Sequence, residues 1–293
     1  MPLTEPADAP PGAPLDLVVQ APALVREDID ALVALTHASD VEPLARAANE
    51  ACALREVRDT AGVPEACAAA GYDCALVPPS RPLSRLRLVA MDMDSTLITI
   101  ECIDEIADLQ GIKPQVAAIT ARAMRGELDF AASLTARVAL LAGLPVAALE
   151  RVYTERLHLS PGAEALIAAS KAQGARLLLV SGGFTFFTDR LKARLGLDYT
   201  LSNTLEVRDG RLTGRVEGGI VDAAAKAAEL RRVAAIVRGD DGLTLALGDG
   251  ANDLPMLAEA DVSVAYRAKP AVRAHATHAI DHCGLDAALN LFA

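Results

Sequence analysis

Tryptophan is absent from this 293-residue chain, and Phe and Tyr are so few that aromatics make up 3% of it. Ala, Leu and Val must supply the bulk of the core, which suits helices packed on a buried sheet. Positive charge is also in deficit: 28 Lys and Arg face 39 Asp and Glu, a formal net charge of −11. A duplex binder needs a cationic face to release counterions, so nucleic acid is not expected as a partner. A small anion held in a locally positive pocket is still allowed. The five cysteines (Cys52, Cys67, Cys74, Cys102, Cys283) are odd in number and lack C-x-x-C spacing. That pattern reads as reduced thiols in a cytoplasmic protein. The opening residues show no basic region followed by an apolar run, so no signal peptide is expected, and no stretch has the length and freedom from charge of a membrane span. No G-x-G-x-x-G follows a strand, which argues against a nicotinamide-binding fold.

What is present divides the chain. Residues 1–14, rich in Pro and Ala, read as a frayed tail. Residues 15–19 read as a strand, 26–37 as a helix, 59–70 as a second helical segment and 74–77 as an apolar run. Pro78, Pro79 and Pro82 then mark a linker, so residues 1–84 form a small α/β unit. Beyond it, residues 86–91 are a nearly unbroken apolar strand of the kind buried on both faces of a parallel sheet, and similar runs recur at 176–180 and 243–247. Their alternation with helical segments predicts an α/β fold, a doubly wound parallel sheet over residues 85–98 and 164–293. The stretch 99–163 is helical by pattern and is expected as a cap inserted after the first core strand, above the crevice where such sheets bind ligands. Residues 207–212 carry an Asp-Gly turn and read as a hairpin.

Chemistry gathers at the strand ends. Asp92 and Asp94 close the first core strand two residues apart, so both carboxylates can project to one side of an extended segment. Two acids that close resist joint ionisation, and one tends to hold a proton while the other is nucleophile or ligand. After the third strand, Gly248-Asp-Gly-Ala-Asn-Asp253 sets Asp249 and Asp253 in a Gly-rich loop that suits Mg²⁺, a cation of hard oxygen ligands. Each acid pair taken alone also fits helix capping. Their convergence in one crevice is the sharper reading. The middle strand ends in Val180-Ser-Gly-Gly-Phe-Thr185, where a hydroxyl and backbone N–H groups at a strand-to-helix junction offer a phosphate cradle. Lys226 follows an Ala-rich segment and is either a solvated helix residue or the cation that neutralises the phosphate.

The order acid pair, Ser-Gly, Lys, acidic loop resembles the haloacid dehalogenase superfamily of phosphotransferases, and within it the phosphoserine phosphatases. The resemblance spans about residues 86–282 and extends to Glu101, the hairpin at 203–214 and Ala265-Tyr-Arg-Ala-Lys-Pro270. It implies a Mg²⁺-dependent phosphoric monoester hydrolase with Asp92 as nucleophile and Asp94 as general acid/base. It also implies a metal held by Asp92, the main-chain carbonyl of Asp94, Asp249 and waters, with Asp253 on a metal-bound water or buttressing Asp249. Ser181, the Gly182 N–H and Lys226 would bind the phosphate, and Asn252 would orient Asp92 or the phosphate oxygens. Glu101 matches the position that meets a substrate ammonium, Arg137 the one that clamps its carboxylate, and Phe130 would close the apolar side. The expected substrate is therefore phosphoserine, in the last step of serine biosynthesis, with phosphohomoserine, phosphothreonine or another small phosphomonoester as the rival. A receiver-type phospho-acceptor is disfavoured by Asp94 and the long cap. Residues 1–84 look like a reduced ACT-type module, for which serine binding, homodimer formation and stabilisation of the core are all open roles. His275 and His278 read as helix or surface residues, and Cys102 as packing.

Overall fold

The computed structural model describes Leu3, Pro6, Ala9 and residues 12–292, so most of the expected tail lies outside the described residues. The chain begins with β1 (Leu15–Ala21), α1 (Arg26–Thr36), β2 (Asp40–Leu44), β3 (Glu50–Val57), α2 (Val63–Ala70) and β4 (Asp73–Val77). These form a β-α-β-β-α-β unit with antiparallel strands in the order β2-β3-β1-β4. Alternation along the strands makes the sheet two-sided. Leu17 and Val19 pack with Leu32 and Cys67 beneath the helices, whereas Val18, Ala75 and Val77 join the core of the larger domain. The second helix starts at Val63 instead of 59 because Gly62 enters it at φ 78°.

The larger domain starts with β5 (Leu86–Met91). Four helices follow: α3 (Cys102–Leu109), α4 (Lys113–Met124), α5 (Phe130–Ala139) and α6 (Ala147–Glu155). The chain then runs through α7 (Ala163–Ala172), β6 (Arg176–Phe184), α8 (Thr185–Leu195), β7 (Tyr199–Arg208) and β8 (Arg211–Glu217). It ends with α9 (Ala223–Val237), β9 (Leu243–Gly248), α10 (Leu254–Ala258), β10 (Val262–Tyr266), α11 (Pro270–Arg273) and β11 (His278–Ile280). The sheet order is β11-β10-β9-β5-β6-β7-β8, parallel throughout except for the β7–β8 hairpin. Val89, Met91, Leu177 and Leu179 face one core, and Leu88, Ala90, Leu178 and Val180 the other, as strands buried on both faces require. Strand order reverses at β5, which makes the crevice at its carboxyl end a switch point.

Two sets of contacts hold the parts together. The hairpin turns through Asp209 and Gly210, at φ 51° and 72°, the left-handed pair that a two-residue turn demands. It is stitched to the cap by backbone: Gly143 N–H donates to Leu212 O and Leu212 N–H to Leu144 O, both at 2.8 Å, and Val146 N–H to Gly210 O at 3.0 Å. The small unit is fastened through the Asp73 carboxylate, which accepts the N–H groups of Asp281 at 2.8 Å, His282 at 3.1 Å and Cys283 at 3.0 Å. His278 corrects its expected surface position. It is buried in β11 with Nε2 3.3 Å from the Leu76 carbonyl, because β4 covers that edge of the sheet; His275 is exposed as expected. No described helix is long and apolar enough to cross a membrane.

Candidate active site

β5 hands the chain to an irregular turn over Met93–Leu97, closed by Leu97 N–H donating to Asp92 O at 3.2 Å. Within it Ser95 takes φ 57°, which swings the chain out of the sheet and leaves Asp92 and Asp94 at the crevice. On the far side, Asp222 caps α9 by accepting the Ala225 N–H at 2.9 Å, and Lys226 follows on the next turn. Lys226 is 1% exposed, and its Nζ donates to Asp92 Oδ1 and Asp253 Oδ1, each at 2.7 Å. Burial alone would drive this ammonium towards its neutral form, but Asp92 and Asp253 outweigh it and raise its pKa.

The acidic loop closes on itself. Asp253 Oδ2 accepts the N–H groups of Asp249 at 3.1 Å and Gly250 at 3.0 Å, so its side chain binds back into the loop and does not cap α10. Asp249 Oδ1 accepts the Thr96 hydroxyl at 3.1 Å. Asp92, Asp249 and Asp253 each offer an oxygen within 4.8 Å of the others. Burial, then the charge of Asp253, pushes Asp92 well above the usual carboxylate range and Asp249 up to about 7. The cluster is thus short of positive charge and rich in hard oxygen donors, and it fits a divalent cation. Both Asp253 oxygens already accept protein hydrogen bonds, which leaves Asp92 and Asp249 better placed to ligate.

Asp94 is half-buried, with Oδ1 3.2 Å from the Cys102 N–H. Burial, then Glu101, raises it to about 7, the range wanted in a group that gives and takes a proton near neutrality. A cavity of about 190 Å³ joins Asp92, Asp94, Asp249, Asn252, Ser181 and Gly182 to Glu101, Phe130 and Arg137 on the cap side. Glu101 stands exposed at the mouth and accepts the Ser95 hydroxyl at 2.7 Å; burial of its inner side raises its carboxyl despite that hydrogen bond and the Arg137 charge. Burial lowers the Arg137 guanidinium, while Asp104, Glu101 and Asp94 oppose that shift. Close approach favours the glycines: a Cβ at Gly182 would sit 2.8 Å from Phe130 Cζ, and one at Gly183 would sit 2.8 Å from Met93 Cε and 3.0 Å from Asp94 Oδ2.

The haloacid dehalogenase-like hydrolase family matches residues 89–258, more than half of the chain. The chain belongs to this family. Among relatives of this hydrolase, the phosphoserine phosphatase of Polaromonas sp. (strain JS666) is 54% identical over 218 residues, covering 73% of the hydrolase and 92% of the relative. The crystal structure of a probable phosphoserine phosphatase from Vibrio cholerae, in unliganded form, superposes with a TM-score of 0.82 at 39% identity. It covers 94% of the hydrolase and 85% of that chain, an extent reached only with the small N-terminal unit included. A phospho-aspartyl intermediate analogue of phosphoserine phosphatase gives a TM-score of 0.65 at 39% identity over 71% of the hydrolase and all of that chain (100%).

Of the residues singled out in the sequence, the hydrolase brings nine to the cavity wall, with Lys226 and Asp253 directly behind it. Cys102 is buried as packing, although its backbone N–H holds Asp94. Sequence reasoning assigned no part in the site to Thr96 and Ser95, which hold Asp249 and Glu101, or to the apolar wall residues Ile103 and Leu134. The available signal was two hydroxyls directly after an acid pair, where an apolar strand end needs none.

Proposed function

We propose that this hydrolase is a phosphoserine phosphatase, converting O-phospho-L-serine to serine and phosphate through an aspartyl-phosphate on Asp92. The observation that carries the reading is one cavity with Asp92 braced on Lys226 at its floor and an opposed pair, Glu101 and Arg137, on its cap side. An amino-acid phosphoester has a dianion for the floor, an ammonium for Glu101 and a carboxylate for the fork of Arg137. Phe130 closes the apolar side.

Asp92 attacks phosphorus while Lys226, the Ser181 hydroxyl and the Gly182 N–H draw charge off the phosphoryl oxygens. Mg²⁺ bound by Asp92, the main-chain carbonyl of Asp94 and Asp249 would supply the remaining neutralisation. Asp253 buttresses Asp249 through the loop, and Asn252 orients Asp92 or the phosphoryl oxygens. Protonated Asp94 gives its proton to the departing serine oxygen; the same group, now ionised, takes a proton from the water that hydrolyses the acyl phosphate. In domain terms we assign residues 85–98 and 164–293 to the catalytic core, 99–163 to the cap and 1–84 to an ACT-like unit. The five free cysteines suit the cytoplasm.

The deciding experiment measures phosphate release from L-phosphoserine with and without Mg²⁺, beside phosphohomoserine, phosphothreonine and an aryl phosphate. Selective, metal-dependent release from phosphoserine supports the reading. Release only from other esters keeps the Asp92 chemistry and removes Glu101 and Arg137 as amino-acid readers.

A further inference from the structure

We infer that Asn203 is a positioning residue that couples Ser181 to Lys226, the two groups assigned to the phosphoryl oxygens; the inference rests on the proposed function. Val180 of β6 pairs with Leu201 of β7, and the next pair is Phe184 with Asn203, so Ser181, Gly182 and Gly183 stand opposite the single residue Ser202. Such a bulge takes backbone groups out of the ladder. The Asn203 side chain, 1% exposed, fills the gap: its Nδ2 donates to the Gly182 carbonyl at 2.8 Å, and its Oδ1 accepts the Val221 N–H at 2.8 Å.

Each bond reaches a functional group one step away. In a trans peptide the carbonyl of Gly182 and the N–H of Gly183 point to opposite sides of one plane. Anchoring the carbonyl on Asn203 therefore aims the Gly183 N–H the other way, where it donates to Ser181 Oγ at 2.8 Å. With that lone pair engaged, the Ser181 hydroxyl keeps its own hydrogen for an acceptor in the cavity it lines. At the other end, Val221 precedes Asp222, the cap of α9, and Lys226 lies on the next turn. Asn203 thereby sets the hydroxyl donor and the buried ammonium at one spacing, although it lines no part of the cavity itself.

The test uses Asn203→Asp, which keeps the acceptor for Val221 and loses the donor to Gly182, and Asn203→Ser, which leaves room for water at both backbone groups. Binding of inorganic phosphate and kcat/KM on phosphoserine and on an aryl phosphate are measured for both, alone and in a Ser181→Ala background. Losing one such hydrogen bond should weaken phosphate binding and kcat/KM about tenfold. Both esters should suffer alike because they share the phosphoryl end, and the loss should shrink when Ser181 is already Ala. A folded variant that binds phosphate within twofold of the parent overturns the inference, as does an equal loss in both backgrounds. If Asn203→Asp fails to fold, Asn203→Ser decides on the same readings. Should the parent bind phosphate yet leave phosphoserine intact, the proposed function fails, and phosphate binding still judges Asn203.

Discussion

Replacing Lys226 by Met tests the electrostatics at the floor of the cavity. The ammonium bridges Asp92 and Asp253, which are 5% and 0% exposed. Without it two buried carboxylates face each other across the space it filled, and no water replaces the lost charge. Removing one partner of a buried ion pair costs about 3–5 kcal/mol. At roughly 2–4 °C per kcal/mol for a domain of this size, the melting temperature in chelator should fall by about 6–20 °C at pH 8. The pH dependence supplies the stricter check. Asp92 already has a raised pKa, and loss of Lys226 raises it further, so the folded variant prefers Asp92 protonated. A carboxyl raised above its unfolded value stabilises the fold at low pH, and that contribution is lost as pH rises through the folded pKa. The gap between parent and variant should therefore narrow on going from pH 8 to pH 5.5. Thermal unfolding at both pH values measures it. A variant that melts within 2 °C of the parent at pH 8, or a gap that widens with acidification, would refute the reasoning.

Asp92→Asn, checked by mass to be free of deamidation, should lose turnover on every ester, and near-normal turnover would end the nucleophile assignment. Asp94→Asn should lower kcat by about 10²–10⁴-fold, the usual worth of a placed general acid/base, and a loss under fivefold in single-turnover assays would exclude that role. Arg137→Ala should cost phosphoserine about 10- to 100-fold in kcat/KM, the range for hydrogen bonds to a charged group, and an aryl phosphate far less. Equal losses on the two esters would remove the carboxylate clamp. Because Asp249 is raised to about 7 and must ionise to ligate, Mg²⁺ affinity should weaken by about tenfold from pH 8 to pH 6, read by calorimetry; a flat profile would exclude Asp249 as a ligand.

The apolar runs ending at Asp92, at Ser181 and at Asp249 were legible because strands buried on both faces need unbroken hydrophobic sequence. β2 and β3 were not. The first is an exposed edge strand containing Pro43, and Glu50-Ala-Cys-Ala-Leu-Arg reads equally well as helix. The acid clusters could be named from spacing, but their division of labour came from partners far along the chain. Lys226 lies 134 residues from Asp92, and Thr96 lies 153 from Asp249. No local pattern tells a carboxylate that closes its own loop, as Asp253 does, from one that ligates. Asn203 stood out only as the start of the hairpin segment, because its task arises only when a bulge in one strand meets a side chain in the next.

The backbone bonds from Gly143, Leu144 and Val146 to the hairpin bear on how the cavity fills and empties. They make the end of α5 and the start of α6 a continuation of the sheet, so that half of the cap moves only if the hairpin bends or those bonds break. Arg137 and Phe130 sit on this anchored half. The opposite half, α3 and α4, has no such tether to the hairpin among the described backbone bonds. An arriving phosphoester would thus meet an anchored wall on one side, and any opening of the cap is expected beside α3 and α4. Clamping α4 to the core should slow entry and product exit, and leave the chemical step unchanged.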